Sequence, residues 1–453
     1  MKILIVSHNC MCSTTNMGKT LMSYFSGFRP EELAQLYIHC EEPMEADLCH
    51  RYFRFTDLDA LKSLLLPGKR GRIFDAEGIR PGRITARTDT GWLTSAYRYG
   101  ERRTAAAYGL RELLWKFAWW ESKKFWNWVE DFEPDLVFFA SGDYGFTYEM
   151  ARKIADHVGK PLVVSCVDDH YLYNRNEDSL LGRILHRRFL KIVRRTMERA
   201  SLILTICDSL QAEYGELFGK PCRVLHTAAI SKAENRSDHP QGLAYLGKLE
   251  LKREQQLIAV GKALQHMKLP EGPQFLDVYS CDRAPEILKQ MTPENGIHFH
   301  GAATAQQVLE IMQGSLAVLH TESFDPRMQR IVRHSVSTKI AESLLNGPCL
   351  IAYGPEGIAS MDYLQKHGAA WVITRPEELE PGLREILTNA GLRQQITERA
   401  RELGRRNHSP EAGPENLKQW FREICEEQWE HEDITDQLRL SERKHGKTDP
   451  GLT

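Results

Sequence analysis

The sequence predicts an α/β protein made of two Rossmann-like domains that face each other across a cleft. Two series of short apolar runs support this prediction, because such runs, separated by helix-length segments, are typical of parallel strands in βα units. The polar stretch Thr227–Gln241 lies between the two series. With 453 residues, 42% of them hydrophobic, the chain is large enough for at least two cores.

The predicted strands are short runs rich in Val, Leu and Ile. In the first domain, residues 1–230, they are Lys2–Ser7, Leu33–His39, Leu136–Phe139, Leu162–Cys166 and Leu202–Ile206. In the second domain, residues 241–405, they are Leu243–Gly247, Gln274–Tyr279, Ile297–Gly301, Leu316–Thr321, Cys349–Tyr353 and Ala370–Ile373. We expect the carboxyl ends of these strands to border the cleft, where ligands bind in folds of this class.

Composition excludes several other classes of protein. The 59 Lys and Arg nearly balance the 61 Asp and Glu, which argues against a dedicated nucleic-acid binder. No run of 18 apolar residues is present, so no membrane-spanning helix is predicted. The ten Cys are scattered and no export signal precedes the first strand, so we expect reduced thiols in a cytoplasmic protein.

Two segments depart from the βα pattern. Gly68–Arg103 contains nine Lys and Arg against four Asp and Glu, and is interpreted as a basic insertion, residues 68–103, in the first domain. The last residues, 436–453, are polar and predicted to be disordered.

The loop after the first strand is one candidate site. It ends in Asn16, Gly18 and Lys19 at the start of a predicted helix, where backbone N–H groups can face an anion across the cleft. The stretch is similar to the end of a phosphate-binding P-loop, although Ser13 stands where that pattern requires Gly. A nucleotide-dependent phosphotransferase is therefore one alternative function, and a simple strand–helix turn is another interpretation.

The second domain opens with a candidate diphosphate site. Gly247 ends the first strand, Lys248 follows at once, and Arg253 lies at the next helix start. Two cations at one helix N-terminus can hold a pyrophosphate, because the helix dipole and both side chains favour negative charge. A solvated charged turn is the alternative interpretation.

Two carboxylates further along the chain lie at predicted cleft positions. Glu342 sits one turn into an apolar helix, where a carboxylate can accept both hydroxyls of a ribose. The helix begins near Ser337, Thr338 and Lys339, which we expect to line the same site together with Ser323 and Phe324. Glu322 ends a predicted strand and brings a second carboxylate to the cleft.

In their order, these motifs resemble the donor-binding half of retaining GT-B glycosyltransferases of family four. The resemblance covers roughly residues 1–405 and is densest within 243–357. It rests on Gly247-Lys248-Leu249 with Arg253, Phe299-His300-Gly301, Glu322-Ser323-Phe324, Ser337-Thr338-Lys339 with Glu342, and Asn346-Gly347-Pro348.

The resemblance implies a metal-independent hexosyltransferase that moves a sugar from a nucleotide diphosphate sugar, most simply UDP-linked, to an acceptor hydroxyl with retention. No further cofactor is expected. Lys248 and Arg253 would hold the diphosphate and Glu342 the ribose. The family pairs two Glu eight positions apart, but Ser335 stands near that position here, so an insertion over residues 326–336 separates Glu322 from Glu342. A tail helix over residues 406–435 would cross back to the first domain.

The first domain carries candidate residues for the acceptor. Asp143, Asp168 and His170 follow predicted strands and would lie at the cleft, with helix capping as the alternative role. Glu322 and Asp143 are the candidate catalytic residues. Asp57 and Asp59 match a metal-binding D-x-D pattern, but they follow a Thr at a predicted helix start, which favours N-capping. No metal site is therefore predicted.

Basic and aromatic residues are concentrated in the first domain. A predicted helix over Leu110–Val129 carries five Trp, and Arg183–Arg199 contains seven Arg and Lys against one acid. Such a surface suits an anionic membrane or a lipid-linked saccharide acceptor at the inner face of the membrane. A helix packed on the sheet with a wet basic face is the alternative, and a non-catalytic scaffold with this fold is the alternative for the whole protein.

Overall fold

The computed structural model describes residues 1–12, 16–44, 47–64, 70–76, 78–79, 104–173, 179–230 and 240–427. These residues form two α/β domains, each organised around one largely parallel sheet, as the sequence predicts. Most of the basic insertion, the middle of the linker and residues 428–453 lie outside the described residues. Among the residues that the structure describes, no helix is both long enough and apolar enough to cross a bilayer.

The first domain contains a sheet with the strand order β4-β3-β2-β1-β5-β6-β7-β8, in which only the β3–β4 pair is antiparallel. The strands are β1 Ile3–Ser7, β2 Leu33–Tyr37, β3 Arg51–Arg54, β4 Arg72–Phe74, β5 Leu136–Ala140, β6 Leu162–Cys166, β7 Leu202–Thr205 and β8 Cys222–Val224. The described helices are α1 Asn16–Phe25, α2 Asp57–Ser63, α3 Ala105–Phe117, α4 Lys123–Glu130, α5 Gly145–Val158, α6 Leu180–Arg199 and α7 Asp208–Phe218.

The second domain contains a parallel sheet with the strand order β11-β10-β9-β12-β13-β14. Its strands are β9 Leu243–Leu246, β10 Leu276–Tyr279, β11 Ile297–Gly301, β12 Ala317–Thr321, β13 Cys349–Tyr353 and β14 Trp371–Ile373. Its helices are α8 Arg253–Met267, α9 Pro285–Leu288, α10 Ala305–Gly314, α11 Pro326–Val332, α12 Thr338–Asn346, α13 Ala359–Lys366, α14 Leu379–Thr388 and α15 Ala390–His408. A last helix, α16, covers residues 412–427.

The strand order reverses between β1 and β5 in the first sheet and between β9 and β12 in the second. At such a switch point the following helices leave on opposite faces, which opens a crevice beyond the carboxyl ends of the strands. The candidate residues of the second domain lie at this edge, because Gly247 follows β9 and Glu322 follows β12.

The predicted strands are present, but β3, β4 and β8 were missed. Each has only three or four residues, and the Arg side chains of β3 and β4 hide the apolar signal. The predicted helix Leu110–Val129 is wrong as a single element. It is divided into α3 and α4 because the chain leaves the helix at Ala118 and Ser122 caps the next one, its hydroxyl accepting from Phe125 N.

Helix α16 completes the core of the first domain although it follows the second domain in the chain. Leu417 and Phe421 are fully buried, and the Phe421 ring lies 6.2 Å from Phe28 and 6.1 Å from Phe138, between centroids. Helix α15 continues to His408, so the crossing helix begins at residue 412 rather than at 406.

We expect Phe421→Ala to lower the free energy of unfolding of the first domain by about 3–5 kcal/mol, because it leaves a cavity between Phe28 and Phe138. Gln419→Ala is the matched control, since that side chain is exposed on the same helix. Urea unfolding followed by tryptophan fluorescence measures both variants. Equal stability of the two variants would show that α16 contributes little to this core.

Candidate functional site

The loop after β9 is shaped by a tyrosine beneath it. The Tyr245 hydroxyl donates to Lys248 O at 2.6 Å, and Gly247 N donates to Tyr279 O at 3.0 Å. A Cβ on Gly247 would lie 2.5 Å from the Tyr245 hydroxyl oxygen, so a side chain at this position would displace the ring. Glycine therefore allows the chain to turn closely over the strand end and present Lys248 to the cleft.

Helix α8 begins from an unusual backbone conformation. Leu251 and Lys252 have φ values of 64° and 59°, in the left-handed region that non-glycine residues rarely adopt. Conformations of this kind persist where the surroundings over-determine them, and they cluster at functional sites. Here they deliver Arg253 as the first residue of α8, while Lys252 pairs with Asp325 at 2.6 Å.

Arg253 and Glu322 form an ion pair at the base of the site. Arg253 Nη2 lies 2.9 Å from both carboxylate oxygens of Glu322, and Nε lies 3.2 Å from one of them. The Glu322 side chain is 4% exposed and that of Arg253 is 18% exposed. Burial raises the pKa of Glu322, and the adjacent guanidinium opposes that rise. Glu322 thus holds Arg253 in a fixed orientation.

His320 lies in the same buried layer and is neutral at physiological pH. Burial lowers its pKa to about 3, and the positive charges of Arg253 and Lys339 act in the same direction. Its Nε2 is 3.1 Å from the Ser360 hydroxyl and 3.7 Å from a Glu322 oxygen. A neutral imidazole adds no further positive charge beneath the cations of this site.

Helix α12 adds further charged groups. The Ser337 hydroxyl caps it by accepting from Lys339 N, and Thr338 is its first residue. Burial lowers the pKa of Lys339, whereas the nearby Glu342 carboxylate raises it. Arg253 and Lys248 also act on Lys339, each lowering its pKa. These charged groups, from three segments, therefore lie close enough to interact at one place.

The two loop residues after Glu322 have structural contacts. The Ser323 hydroxyl accepts from Asp325 N, and the Phe324 ring packs 5.2 Å from that of Tyr353, between centroids. They shape the end of β12 behind the charged groups. A Cβ on Gly354 would lie 3.0 Å from Glu322 O, so β13 and β12 approach closely here.

The insertion over residues 326–336 forms α11 and a short segment that reaches across the cleft. Ser335 donates to Asp168 at 3.3 Å, and His334 Nδ1 lies 3.0 Å from the Ser209 hydroxyl oxygen. Arg333 pairs with Glu213 of α7 at 2.7 Å. Sequence reasoning identified the insertion but not this role. In the sequence, this contact is indicated only by the polar cluster of Arg333, His334 and Ser335.

On the first-domain side, the half-buried Arg111 lies among residues that follow β1, β3 and β5. Arg111 Nε donates to Asp57 at 3.0 Å, and its Nη2 lies 3.2 Å from His8 Nε2. Its guanidinium lies 4.1 Å from the centroid of the Tyr144 ring. Burial lowers the pKa of His8 to about 4, so the ring is neutral. In the sequence, Arg111 is one of several basic residues of the predicted helix Leu110–Val129, and no local pattern shows its contacts with Asp57 and His8.

The D-x-D pair is engaged in local structure. Thr56 Oγ1 accepts from Asp59 N and the Asp59 carboxylate accepts from Thr56 N, which is a reciprocal capping box at α2. Asp57 accepts from Arg111 and from Trp115 Nε1 at 2.6 Å. Within the part of the chain that the structure describes, no three His, Cys, Asp or Glu side chains are grouped as metal ligands.

The other predicted residues of the first domain are more dispersed. Asn16, Gly18 and Lys19 lie in the first turn of α1, and the preceding residues 13–15 of the loop are outside the described part of the chain. Asp143 precedes α5 and His170 follows β6, both half-buried at the carboxyl ends of their strands.

A family model described as "Glycosyl transferase-like" matches residues 279–419, the region that contains Glu322, Lys339 and Glu342. Together with the two facing sheets, this match defines the class: the chain has the GT-B fold and a glycosyltransferase-like C-terminal region. The comparison with curated proteins gave no match.

Several solved structures share the whole fold. Anabaena HepE in complex with UDP superposes with a TM-score of 0.57 at 13% identity, covering 93% of this chain and 100% of that one. An α,α-trehalose-phosphate synthase (UDP-forming) from Burkholderia xenovorans gives 0.58 at 10% identity, covering 93% and 100%. Sucrose-phosphate synthase from Thermosynechococcus elongatus gives 0.56 at 9% identity, covering 94% and 99%. At these identities the likeness concerns the fold.

We expect His320→Gln to reduce the acid sensitivity of the second domain. The folded state holds the pKa of His320 at about 3, below its ordinary 6.5, so proton uptake favours the unfolded chain. The stability associated with neutral His320 is present above pH 6.5 and is lost as the pH falls toward 3. Between pH 7 and pH 5 the loss is about 2 kcal/mol in the wild type and absent in the variant.

Urea unfolding at the two pH values measures this difference. His266→Gln is the matched control, because His266 is 79% exposed in the same domain. Parallel pH dependences of the wild type and His320→Gln would contradict the burial of a neutral His320.

Proposed function

We propose that the protein is a glycosyltransferase that moves a hexosyl group from a nucleoside diphosphate sugar to an acceptor hydroxyl, with retention at the anomeric carbon. One observation carries the proposal: Lys248 and Arg253 follow β9 at the switch point of the second sheet, and both of them, together with Glu342, act electrostatically on Lys339. Three cations facing one crevice suit a diphosphate, and a carboxylate beside them suits the ribose that follows it.

In this proposal, Lys248 and Arg253 bind the donor diphosphate, helped by Lys339 and by the N-terminus of α8. The N-terminus of a helix offers N–H groups and a positive dipole end, which favour an anion. The structures of HepE contain UDP and UDP-glucose, which supports a uridine nucleotide donor for this chain.

The proposed reaction places negative charge on the leaving diphosphate. As the bond to the anomeric carbon breaks, negative charge gathers on the leaving diphosphate, and preorganised cations stabilise that charge most in the transition state. A phosphate oxygen on the same face of the sugar can take the proton of the acceptor hydroxyl, which accounts for retention. These cations make the reaction metal-independent in our proposal.

Glu322 and Asp143 remain the proposed catalytic residues, with different surroundings. Because Glu322 is bound to Arg253, we propose that it orients the Arg253 guanidinium toward the leaving diphosphate. We also propose that Glu322 lies on the side of the donor sugar nearest the strand ends. Asp143 opens the loop before α5 at the opposite wall, where it would contact the acceptor together with Asp168 and His170. Gly18 and Lys19 of α1 would approach the donor from the same wall.

The acceptor is proposed to be a saccharide or a lipid-linked saccharide, within polysaccharide or glycoconjugate biosynthesis. The basic residues concentrated in the first domain support an anionic acceptor or an anionic membrane surface. The protein would then work in the cytoplasm, at the inner face of the membrane.

Titration calorimetry with UDP, GDP and ATP, each with and without Mg²⁺, tests the proposed function against its alternatives. We expect UDP to bind without Mg²⁺ and purified protein to hydrolyse a UDP-sugar slowly. Binding of ATP that requires Mg²⁺ would favour a phosphotransferase using the loop before Gly18. No binding of any nucleotide would favour a non-catalytic scaffold.

We expect Glu342→Ala to weaken UDP binding by about 1.5–3 kcal/mol, the range for a hydrogen bond to a charged group. Glu342 is exposed on α12, so the variant should fold normally. Glu310→Ala, an exposed glutamate on α10 of the same domain, is the matched control and should bind UDP like the wild type. Unchanged affinity in folded Glu342→Ala would remove the ribose role.

Donor hydrolysis should survive treatment with EDTA, because protein cations neutralise the leaving group in this mechanism. Activity with a UDP-sugar is measured before and after chelation, and again after addition of Mg²⁺ or Mn²⁺. Complete loss of activity that either ion restores would contradict the metal-independent mechanism and direct attention to Asp57 and Asp59.

A further inference from the structure

Helix α3 has an apolar outward face, although Trp115 on its inward face packs in the core. The inward face also carries polar contacts, because Arg111 pairs with Asp57 and buried Glu112 accepts from Gly145 N at 2.6 Å. Its outward face is apolar: Ala106, Leu110, Leu113 and Phe117 are all exposed. Their spacing of four, three and four residues places these side chains in one stripe along the helix.

A second helix continues this apolar surface. Helix α6 packs against α3 where Gly109 meets Leu185, since a Cβ on Gly109 would lie 3.0 Å from a Leu185 methyl carbon. In its first turns α6 exposes large apolar side chains, with Leu180 68%, Leu181 46% and Ile184 55% accessible. Leu110, at 68%, and Phe117, at 57%, are as exposed on α3.

Large exposed apolar side chains are concentrated here. Among the described residues, more than half of the exposed large hydrophobic residues lie on α3, just after it, or on α6. They are Leu110, Leu113, Phe117, Trp119, Leu180, Leu181 and Ile184. Singly scattered exposed hydrophobic residues are ordinary, but a contiguous group marks an interaction surface. We call this group the α3–α6 face.

The exposed charged residues described on the two helices of this face are mainly basic. They include Lys116 on α3, and Arg183, Arg187, Arg188 and Lys191 within residues 180–191 of α6. The exposed acid nearest to Trp119, Glu121, is paired with Lys153. The one acid of α3, Glu112, is 7% exposed and points inward. Residues 180–191 contain no acid. Apolar side chains bordered by these cations match a bilayer with anionic headgroups.

We propose that the α3–α6 face docks the protein on an anionic lipid bilayer, with its leucine and aromatic side chains entering the interface and its cations meeting the headgroups. That this docking brings the enzyme to its acceptor rests on the proposed glycosyl transfer. Binding of the face to a bilayer does not depend on that proposal. Of the five tryptophans that suggest a membrane surface in the sequence, Trp115, Trp120 and Trp128 are 2%, 8% and 3% exposed and belong to the core, whereas Trp119 is 60% exposed and lies on this face.

The α3–α6 face lies near the edge of the first sheet that borders the cleft. Arg111, on the inward side of α3, reaches His8 at the carboxyl end of β1. Helix α6 starts after β6 at the same edge of the sheet, and its apolar residues lie in the turns nearest that edge. A bilayer held against the α3–α6 face therefore lies beside the acceptor wall, so a lipid-linked acceptor could reach the cleft without leaving the membrane.

Cosedimentation with unilamellar vesicles tests the proposal. The vesicles contain phosphatidylcholine alone, or phosphatidylcholine and phosphatidylglycerol in equal amounts. We expect the full-length protein to bind the anionic vesicles at low salt, to bind more weakly at high salt and to leave neutral vesicles largely unbound. Leu110→Gln together with Phe117→Gln should weaken binding by roughly tenfold or more, because two anchoring side chains are lost.

The matched control is Ile230→Gln, because Ile230 is 70% exposed in the linker, away from this face. It should bind vesicles like the wild type. A wild type that ignores anionic vesicles, or a double variant that binds them like the wild type, would overturn the proposal. So would a wild-type dimer in size-exclusion chromatography that the double variant converts to a monomer, because a second copy would then cover the face.

UDP binding and UDP-sugar hydrolysis in solution are measured on the same samples, because the docking residues do not touch the donor site. The double variant should retain both. If the wild type binds vesicles but not UDP, the proposed glycosyl transfer fails while the docking surface stands. The reverse result removes the docking surface alone.

Discussion

The donor half of the molecule depends on one buried ion pair, Arg253 with Glu322. It joins the start of α8 to the end of β12, the two elements that flank the switch point of the second sheet. Both groups are nearly shielded from water, so removing one partner would leave an uncompensated charge, at a cost of about 3–5 kcal/mol. The tight turn at Gly247 and the close approach of Gly354 both serve the position of this pair.

Burial of this pair also controls the electrostatics around it. The pKa of the neutral His320 is lowered by burial and further by the positive charges of Arg253 and Lys339. Lys248, Arg253 and Lys339 each carry a positive charge, and Lys248 and Arg253 both lower the pKa of Lys339. A dianionic ligand would relieve the repulsion between the cations when it binds.

Much of the fold could be predicted from the sequence, because parallel strands buried on both faces leave continuous apolar runs such as Cys349–Tyr353. The strands β3 and β8 leave no such signal, since they are short and lie toward the edges of the sheet. At the site, Glu322 and Arg253 could be identified individually from their positions after strands. Their pairing could not, because 69 residues separate them in the chain and no local pattern encodes that contact.

The orientation of side chains was harder to predict than the elements themselves. A cluster of indoles beside lysines is typical of a membrane interface, yet here most of the indoles pack inside. The period of a helix shows which residues share a face, but it does not show which face meets the sheet. In α3 the orientation is fixed by two inward contacts: Arg111 pairs with Asp57, and Glu112 accepts from the N-terminus of α5. The leucines of α3 therefore face outward.

The crossing of α16 back to the first domain has a consequence for biosynthesis. The strands that form the first sheet leave the ribosome early, but Leu417 and Phe421, which close one side of its core, are translated roughly 400 residues after β1. At about 5–20 residues per second this delay lasts on the order of tens of seconds. During that interval the nascent domain exposes Phe28 and Phe138, so its early folding occurs with an open apolar surface that chaperones can bind.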